Sequence, residues 1–306
     1  MSQNKKVILF GAGNGGINFI KHNPNLTILA IADNNPNNWN TQLNGFPIIN
    51  PATIADYAFD LVVITSQWQD AIQSQLINQL NIPKDKIHIP AKNTLKPGDA
   101  PFKHSATLAF ARTSLGKISE FLAAQQITAI LDSGTALGVV RDGDLIAWDD
   151  DIDLAIDSKD FDKMLEVASQ LLKELPQHPA AKWQATVITL AGEDVCLNLD
   201  LITSQPEAIK DIEISLQKRH EHQGRSELVS SAGIFDAPAI HFQNPQKTNF
   251  YGYQVYLPNQ VEDFLTFMYG DWKNPKPQTS VQDYNNRYKQ QQADPRSQQI
   301  TKRQLV

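Results

Sequence analysis

Apolar and polar positions alternate in blocks along the first ninety residues. "KKVILF" reads as a strand and "NGGINFIKH" opens a helix. "LTILAIAD" reads as a second strand. "FDLVVITS" is a third, an unbroken apolar run of the kind a parallel strand shows when both its faces are buried. "WQDAIQSQLINQL" spaces its apolar residues as a helix does, and "KIHIP" closes the unit. This alternation predicts a doubly wound, Rossmann-like parallel α/β sheet over residues 1–92.

Periodicity stops in "AKNTLKPGDAPFK" (91–103), where Pro97, Gly98 and Pro101 mark a joint between domains. A long helix is predicted over "SATLAFARTSLGKISEFLAAQQ", then a strand at "ITAILDS". Residues 159–175 read as an amphipathic helix, 184–202 as two strands turning near "AGED", and 206–222 as a further helix. The second domain is therefore α+β and spans 103–280. From Val281 to Val306 the chain is polar and basic with few apolar residues, which predicts an extended or disordered tail.

The second domain contains "LDSGTALGVVRDGDLIAWDDDIDLAI" (131–156), with Asp149, Asp150, Asp151 and Asp153 between apolar flanks. Asp is a poor strand former, and like charges this close repel. The stretch reads as a hairpin turning at Asp142–Gly143. On a strand Asp149, Asp151 and Asp153 share one face, with Asp150 and Ile152 on the other. A hard divalent cation, Mg²⁺ or Mn²⁺, would remove the repulsion. A solvated acidic loop fits the apolar flanks poorly. An EF-hand calcium loop needs glycine where Leu154 stands. Acids at a helix N-terminus are the third alternative.

Just upstream, "SGT" reads as a turn leading into a short helix from about Ala136. The amides around Gly134 and Thr135 would then point at a phosphate, with Arg141 available for a bidentate contact. The alternative for Arg141 is an ion pair with a neighbouring Asp. Near the N-terminus, "GAGNGG" gives Gly11, Gly13 and Gly16 the G-x-G-x-x-G spacing after a strand, and Asp33 ends the next strand. Such a turn offers helix amides to a phosphate and an acid to a ribose hydroxyl. The glycines also serve the strand–helix turn with no ligand at all.

Composition narrows the choice. Lys and Arg number 27 against 33 Asp and Glu, a net charge of −6, so nothing invites nucleic acid or an anionic membrane. The one cysteine, Cys196, rules out an internal disulfide and reads as a small buried hydrophobe in a reducing compartment. The apolar run after "MSQNKK" is too short for a signal core, and no segment approaches the ~20 residues of a membrane helix. These features predict a cytoplasmic protein.

A Gly-Ser or Gly-Thr turn, a helix and a strand bearing D-x-D together resemble the nucleotidyltransferase superfamily, in which a neighbouring strand adds a third acid. "LNLDLI" supplies Asp200 for that role, unless Asp200 pairs with an arginine such as Arg219. More closely, residues 128–156 resemble the LicD signature, to which fukutin-related proteins are also similar. The match runs through Leu131, Gly134, Thr135, Leu137, Gly138, Arg141, Ile146, Trp148, Asp149, Asp150, Asp151, Ile152 and Asp153. A second block, "VYLPNQVEDFLTFMYGDWKNP", carries Pro258, Leu265, Tyr269, Gly270 and Asp271 of the family's C-terminal signature. Ala147 stands where the family usually has proline, and Asp144 and Leu145 replace a more usual Gly-Phe.

The resemblance implies a nucleotidyltransferase-like catalytic domain working as a phosphotransferase. Its expected donor is a CDP-linked phospho-alcohol, phosphocholine- or polyol-phosphate-like. Its acceptor is a sugar hydroxyl of a cell-surface glycan, such as capsule or teichoic acid, or of a precursor. Asp151, Asp153 and Asp200 are the expected metal ligands. Asp149 or Asp200 would complete the shell or take the acceptor's proton. "GAGNGG", "ADNNPNNWN" and "NGFPIINP" resemble the small N-terminal domain of bacterial sugar-modifying enzymes, which implies a nucleotide or sugar nucleotide there. A nucleotidyltransferase using the same acids, a non-catalytic sugar-nucleotide-binding protein and a dehydrogenase are the competing readings.

Overall fold

The computed structural model describes residues 5–66, 68–91, 94–95, 100–230, 233–275 and 300–305. They fall into two compact units, one up to residue 98 and one from residue 99. Pro97 and Gly98 of the expected joint, and 276–299 of the expected second domain and tail, lie outside the described residues.

In the first unit β1 (Lys6–Phe10), α1 (Asn14–His22), β2 (Thr27–Ala32), β3 (Gln42–Leu43), β4 (Phe46–Ile49), β5 (Leu61–Ile64), α2 (Gln69–Asn78) and β6 (Ile87–His88) follow in order. The sheet runs β3-β4-β2-β1-β5-β6 and is parallel except for the short β3–β4 pair. Both faces are covered, as the apolar runs require. Val7 and Leu9 pack with Phe19 of α1, while Ile8 and Phe10 pack with Ile72 and Leu76 of α2.

The second unit contains α3 (Ser105–Ala124), β7 (Ala129–Leu131), α4 (Ser133–Arg141), β8 (Asp151–Asp157), α5 (Ser158–Glu174), β9 (Ala181–Leu190) and β10 (Glu193–Thr203). β11 (Ile212–His222), β12 (Arg225–Ser230), β13 (Gly233–Pro238), β14 (Gln246–Phe250), β15 (Tyr253–Leu257), α6 (Val261–Tyr269) and β16 (Ile300–Gln304) complete it. The sheet order is β14-β15-β7-β8-β11-β10-β9-β16, with β12 and β13 branching from β11. Ile152, Leu154, Ile214, Leu216, Leu197 and Leu199 point to one face, into a core shared with Leu115 and Leu122 of α3 and Phe161 and Met164 of α5. Alternation leaves their neighbours on the opposite face, and that face is polar.

Three expectations are corrected. Residues 212–222, taken as helix, are a strand in which Ile212, Ile214 and Leu216 face the core. Residues 142–150 form no hairpin arm. They are a loop anchored by buried Leu145 and Ile146, while Ala147 and Trp148 stay exposed. α4 begins at Ser133 rather than near Ala136, because Asp132 caps it by accepting the Ser133 N–H at 2.7 Å. Of the two readings of the polar tail, its described end takes the extended one, as β16 paired antiparallel with β9.

Candidate active site

The polar face carries the acids in register. Asp151 on β8 pairs with Glu213 on β11, and Glu213 pairs with Asp200 on β10, so three carboxylates form one row across adjacent strands. Strands lie about 4.8 Å apart, close enough for neighbouring carboxylates to repel. The next row is Asp153, Ser215 and Asn198. Asp149 and Asp150 precede β8, yet one carboxylate oxygen from each of Asp149, Asp150 and Asp151 lies within 4.8 Å of the others. Asp150 thus joins the cluster instead of pointing away. Asp153 and Asp200, expected beside Asp151 as ligands, share its sheet face but fall outside that group of three.

Two interactions hold this cluster against α4. A methyl group on Gly134 would sit 2.5 Å from Asp149 Oδ2, so the carboxylate occupies the space a side chain would take. Asp153 donates its N–H to Thr135 Oγ1 at 2.9 Å, and its Oδ1 accepts from Gln217 Nε2 at 2.8 Å. The Thr135 hydroxyl therefore serves β8. The amides of Gly134 and Thr135 lie in the first turn of α4, where a helix has no carbonyl of its own to offer them. Arg141 is at the other end of α4, about 10 Å along the axis. It grips Asp142 with Nε at 2.8 Å and Nη2 at 2.7 Å and lies over the Trp148 ring. The ion pair with a neighbouring Asp is the contact Arg141 makes here.

Loss of hydration and neighbouring charge raise the proton affinity of Glu213 and Asp200. Loss of hydration, then the Asp200 and Asp151 charges, push Glu213 up to about 7. Glu213 is exposed as a whole residue, so its charged neighbours are the firmer part of that effect. Asp200 is also raised, by loss of hydration first, with Lys302 of β16 opposing and Asp211 adding. Arg219 does not pair with Asp200; its guanidinium meets Asp132 at 2.7 Å. Cys196 belongs to the polar face, donating to Asn198 Oδ1 at 3.0 Å, and burial pushes its thiol up. It is not the core hydrophobe expected.

Close-set carboxylate oxygens, here at the loop that enters β8, are the donor set a hard divalent ion takes, so the residues present fit one. Glu213 is outside the acids predicted from sequence because the helix expected over 206–222 is the strand β11. The alternation I-E-I-S-L at 212–216 is the signal that reveals it.

In the first unit Gly11 has φ +119° and donates its N–H to Ala32 O at 2.8 Å. A methyl on Gly16 would lie 2.5 Å from Gly11 O, whereas Gly13 has nothing within 4 Å. Gly15, outside the expected spacing, is as constrained, because a side chain there would run into Thr65 O. Asp33 braces the turn, accepting the Ala12 N–H at Oδ2 and the Asn35 N–H at Oδ1, each at 2.8 Å.

Residues 126–260 match the family described as LicD/FKTN/FKRP, nucleotidyltransferase domain. Within the second unit the chain is therefore similar to LicD domains. That match supports a transferase. It stops before Leu265, Tyr269, Gly270 and Asp271 of the second LicD block, where Gly270 caps α6 at φ +63° and Phe264 and Trp272 are buried. Residues 3–88 match the family described as C2185-like, N-terminal. No curated protein matches the chain. Among solved structures, UDP-D-quinovosamine 4-dehydrogenase from Vibrio fischeri is 22% identical, over 28% of this chain and 75% of that one, with a TM-score of 0.23. RSP in complex with beta-NADH is 17% identical, over 29% and 55%, with a TM-score of 0.24. UDP-N-acetylglucosamine 3-dehydrogenase GnnA from Acidithiobacillus ferrooxidans is 10% identical, over 77% and 80%, with a TM-score of 0.21. Scores this low decide nothing. Among the described residues no helix is long and apolar enough to cross a membrane.

Proposed function

We propose that the LicD-type unit is a metal-dependent phosphotransferase. It moves a phospho-alcohol from a CDP-linked donor to a sugar hydroxyl of a cell-surface glycan or its precursor. The observation that carries this reading is the row Asp151–Glu213–Asp200 with Asp149 and Asp150 beside it, set against the first turn of α4. Asp149, Asp150 and Asp151 would hold a Mg²⁺ or Mn²⁺ ion, with Asp153, Glu213 and Asp200 next to it. When bound, such an ion supplies positive charge against the diphosphate and the leaving CMP. The amides of Gly134 and Thr135 steady phosphate oxygens. The acceptor hydroxyl oxygen bonds to the phosphorus that bears the alcohol, the bond from that phosphorus to the bridging oxygen breaks, and CMP departs. A carboxylate of the acidic face takes the hydroxyl proton. In the first unit, the open side of the turn at Gly13 would receive a nucleotide or sugar nucleotide.

The family's description as a nucleotidyltransferase domain favours a second reading, in which CTP is the donor and pyrophosphate leaves. The test is a melting-temperature screen of CDP-linked compounds with and without Mg²⁺, followed by product analysis. The phosphotransferase reading expects stabilisation only when both are present, and release of CMP. Pyrophosphate release from CTP would replace it with the second reading, and no metal-dependent stabilisation would end both.

A further inference from the structure

The most deeply buried ion pair described in the second unit stands on the same sheet face as its carboxylates. The side chains of Asp132 and Arg219 are 0% and 4% exposed. Arg219 Nε donates to Asp132 Oδ2 at 2.7 Å, and Nη1 donates to Ser226 O at 3.0 Å. The guanidinium lies 4.2 Å over the Phe242 ring. Asp132 uses its other oxygen, Oδ1, to accept the Ser133 N–H at 2.7 Å. Both oxygens are thus committed to holding structure, although Asp132 is a close neighbour of the acidic cluster.

What the pair holds is the junction between α4 and β8. Asp132 donates its N–H to Asp153 O at 3.0 Å, and Asp153 donates its own N–H to Thr135 Oγ1 at 2.9 Å. The start of α4 therefore grips the Asp153 backbone from both sides. The next residue, Ser133, has φ +48°, a left-handed conformation that a non-glycine residue keeps only when its surroundings impose it. Gly134 follows, against the Asp149 carboxylate. Arg219 sits opposite Asp157 on β8, while Asp132 meets Asp153. Ala155, midway between them, has only a methyl group and leaves room for the arginine arm. Without Arg219, Asp132 would be a buried carboxylate that has lost its counter-ion.

We propose that Arg219 is a positioning residue for the carboxylate site: by fixing Asp132 it sets the start of α4, and through it the placement of Asp149 and Asp153. The proposal rests on the reading of Asp149, Asp150 and Asp151, with Asp153 beside them, as a cation site. The test is Mn²⁺ binding by electron paramagnetic resonance on the full chain, with circular dichroism to establish folding. The variants are Arg219→Met, Arg219→Lys and the doubly neutral Asp132→Asn/Arg219→Gln, which avoids a lone buried charge. Asp236→Asn, which breaks the Arg225–Asp236 pair, is the structural control. Arg219→Met and the double variant should raise the Mn²⁺ dissociation constant about ten- to a hundred-fold, the usual effect of removing a group that orients metal ligands. Arg219→Lys should recover part of that loss, and the control should bind as wild type. A purely structural pair would lower the melting temperature yet leave the dissociation constant of folded Arg219→Lys and double variant within twofold of wild type, and that result overturns the proposal alone. Wild-type protein that binds no Mn²⁺ overturns the proposal and the cation-site reading together.

Discussion

Replacing Gly134 with alanine separates stability from function at this site. Gly134 is in the first turn of α4, and its φ is not left-handed, so alanine is compatible with the backbone. Helix propensity alone favours alanine by up to about 1 kcal/mol, a rise of roughly 2–4 °C in melting temperature for a unit this size. The new methyl, however, would lie 2.5 Å from Asp149 Oδ2. Ordinary van der Waals contact begins near 3.4 Å, so the carboxylate must withdraw. A side-chain rotation achieves that at little cost to folding. It also moves a proposed ligand by about 1 Å, a displacement that can cost a factor of about 100 in rate, or about 2.7 kcal/mol of transition-state stabilisation.

The expected result is therefore a metal-free protein that melts no lower than wild type, binds Mn²⁺ more weakly and transfers about 100-fold more slowly. Calorimetry without metal, an Mn²⁺ titration and initial rates of CMP release measure the three quantities. Wild-type rates and metal affinity in Gly134→Ala, with Asp149 shown by crystallography to have moved, would refute the assignment of Asp149. A fall of several degrees in melting temperature would instead mean that the carboxylate cannot yield and that the packing argument is wrong.

Other expectations test the charges and the first unit. Glu213 rises from 4.5 to about 7, so between those values the folded, metal-free protein holds a proton that the unfolded chain has released. Its stability should fall as pH rises through that window and level off above it. The full effect of ~3 kcal/mol reduces to about 1 kcal/mol once solvent screening at an exposed residue is allowed for. Glu213→Gln should flatten the slope of denaturant midpoint against pH, and an unchanged slope would remove Glu213 from the cluster. In the first unit Gly15→Ala places a methyl against Thr65 O and should cost about 1–3 kcal/mol, read by urea unfolding. Gly13→Ala, with nothing within 4 Å, should cost less, and the reverse order would show that the G-x-G-x-x-G spacing, not the packing, identifies the constrained positions.

How much the sequence discloses depends on the range of the interaction that decides each element. Parallel strands such as "VILF" and "LVVI" are legible because burial on both faces writes itself into consecutive residues. The acids Asp151 and Asp153 are legible for a related reason: β8 alternates them with Ile152 and Leu154. The hairpin failed because Leu145 and Ile146 are consecutive anchors of a loop, and apolar content without alternation does not specify a strand. The constraint on Gly15 comes from Thr65, in a strand-end loop far along the chain, so motif spacing cannot report it. β16 is exposed throughout and carries no apolar pattern, so only its pairing with β9 defines it.

The same distinction explains why the site itself was half readable. A carboxylate on a strand shows its facing by its neighbours, so Glu213 was present in the alternation of "IEISL" once that segment is read as a strand. The partnership of Asp132 with Arg219 has no such local trace. The two residues are separated by 87 positions, too far apart for any local pattern to link them. Sequence alone offers Asp132 as an isolated acid at the end of an apolar run. Only the fold shows that both of its oxygens are occupied, one by a helix cap and one by an arginine, and so why it stands apart from the proposed cation ligands. Chemistry at this site is therefore specified twice: locally by the D-x-D strand, and at long range by the pair that holds that strand against α4.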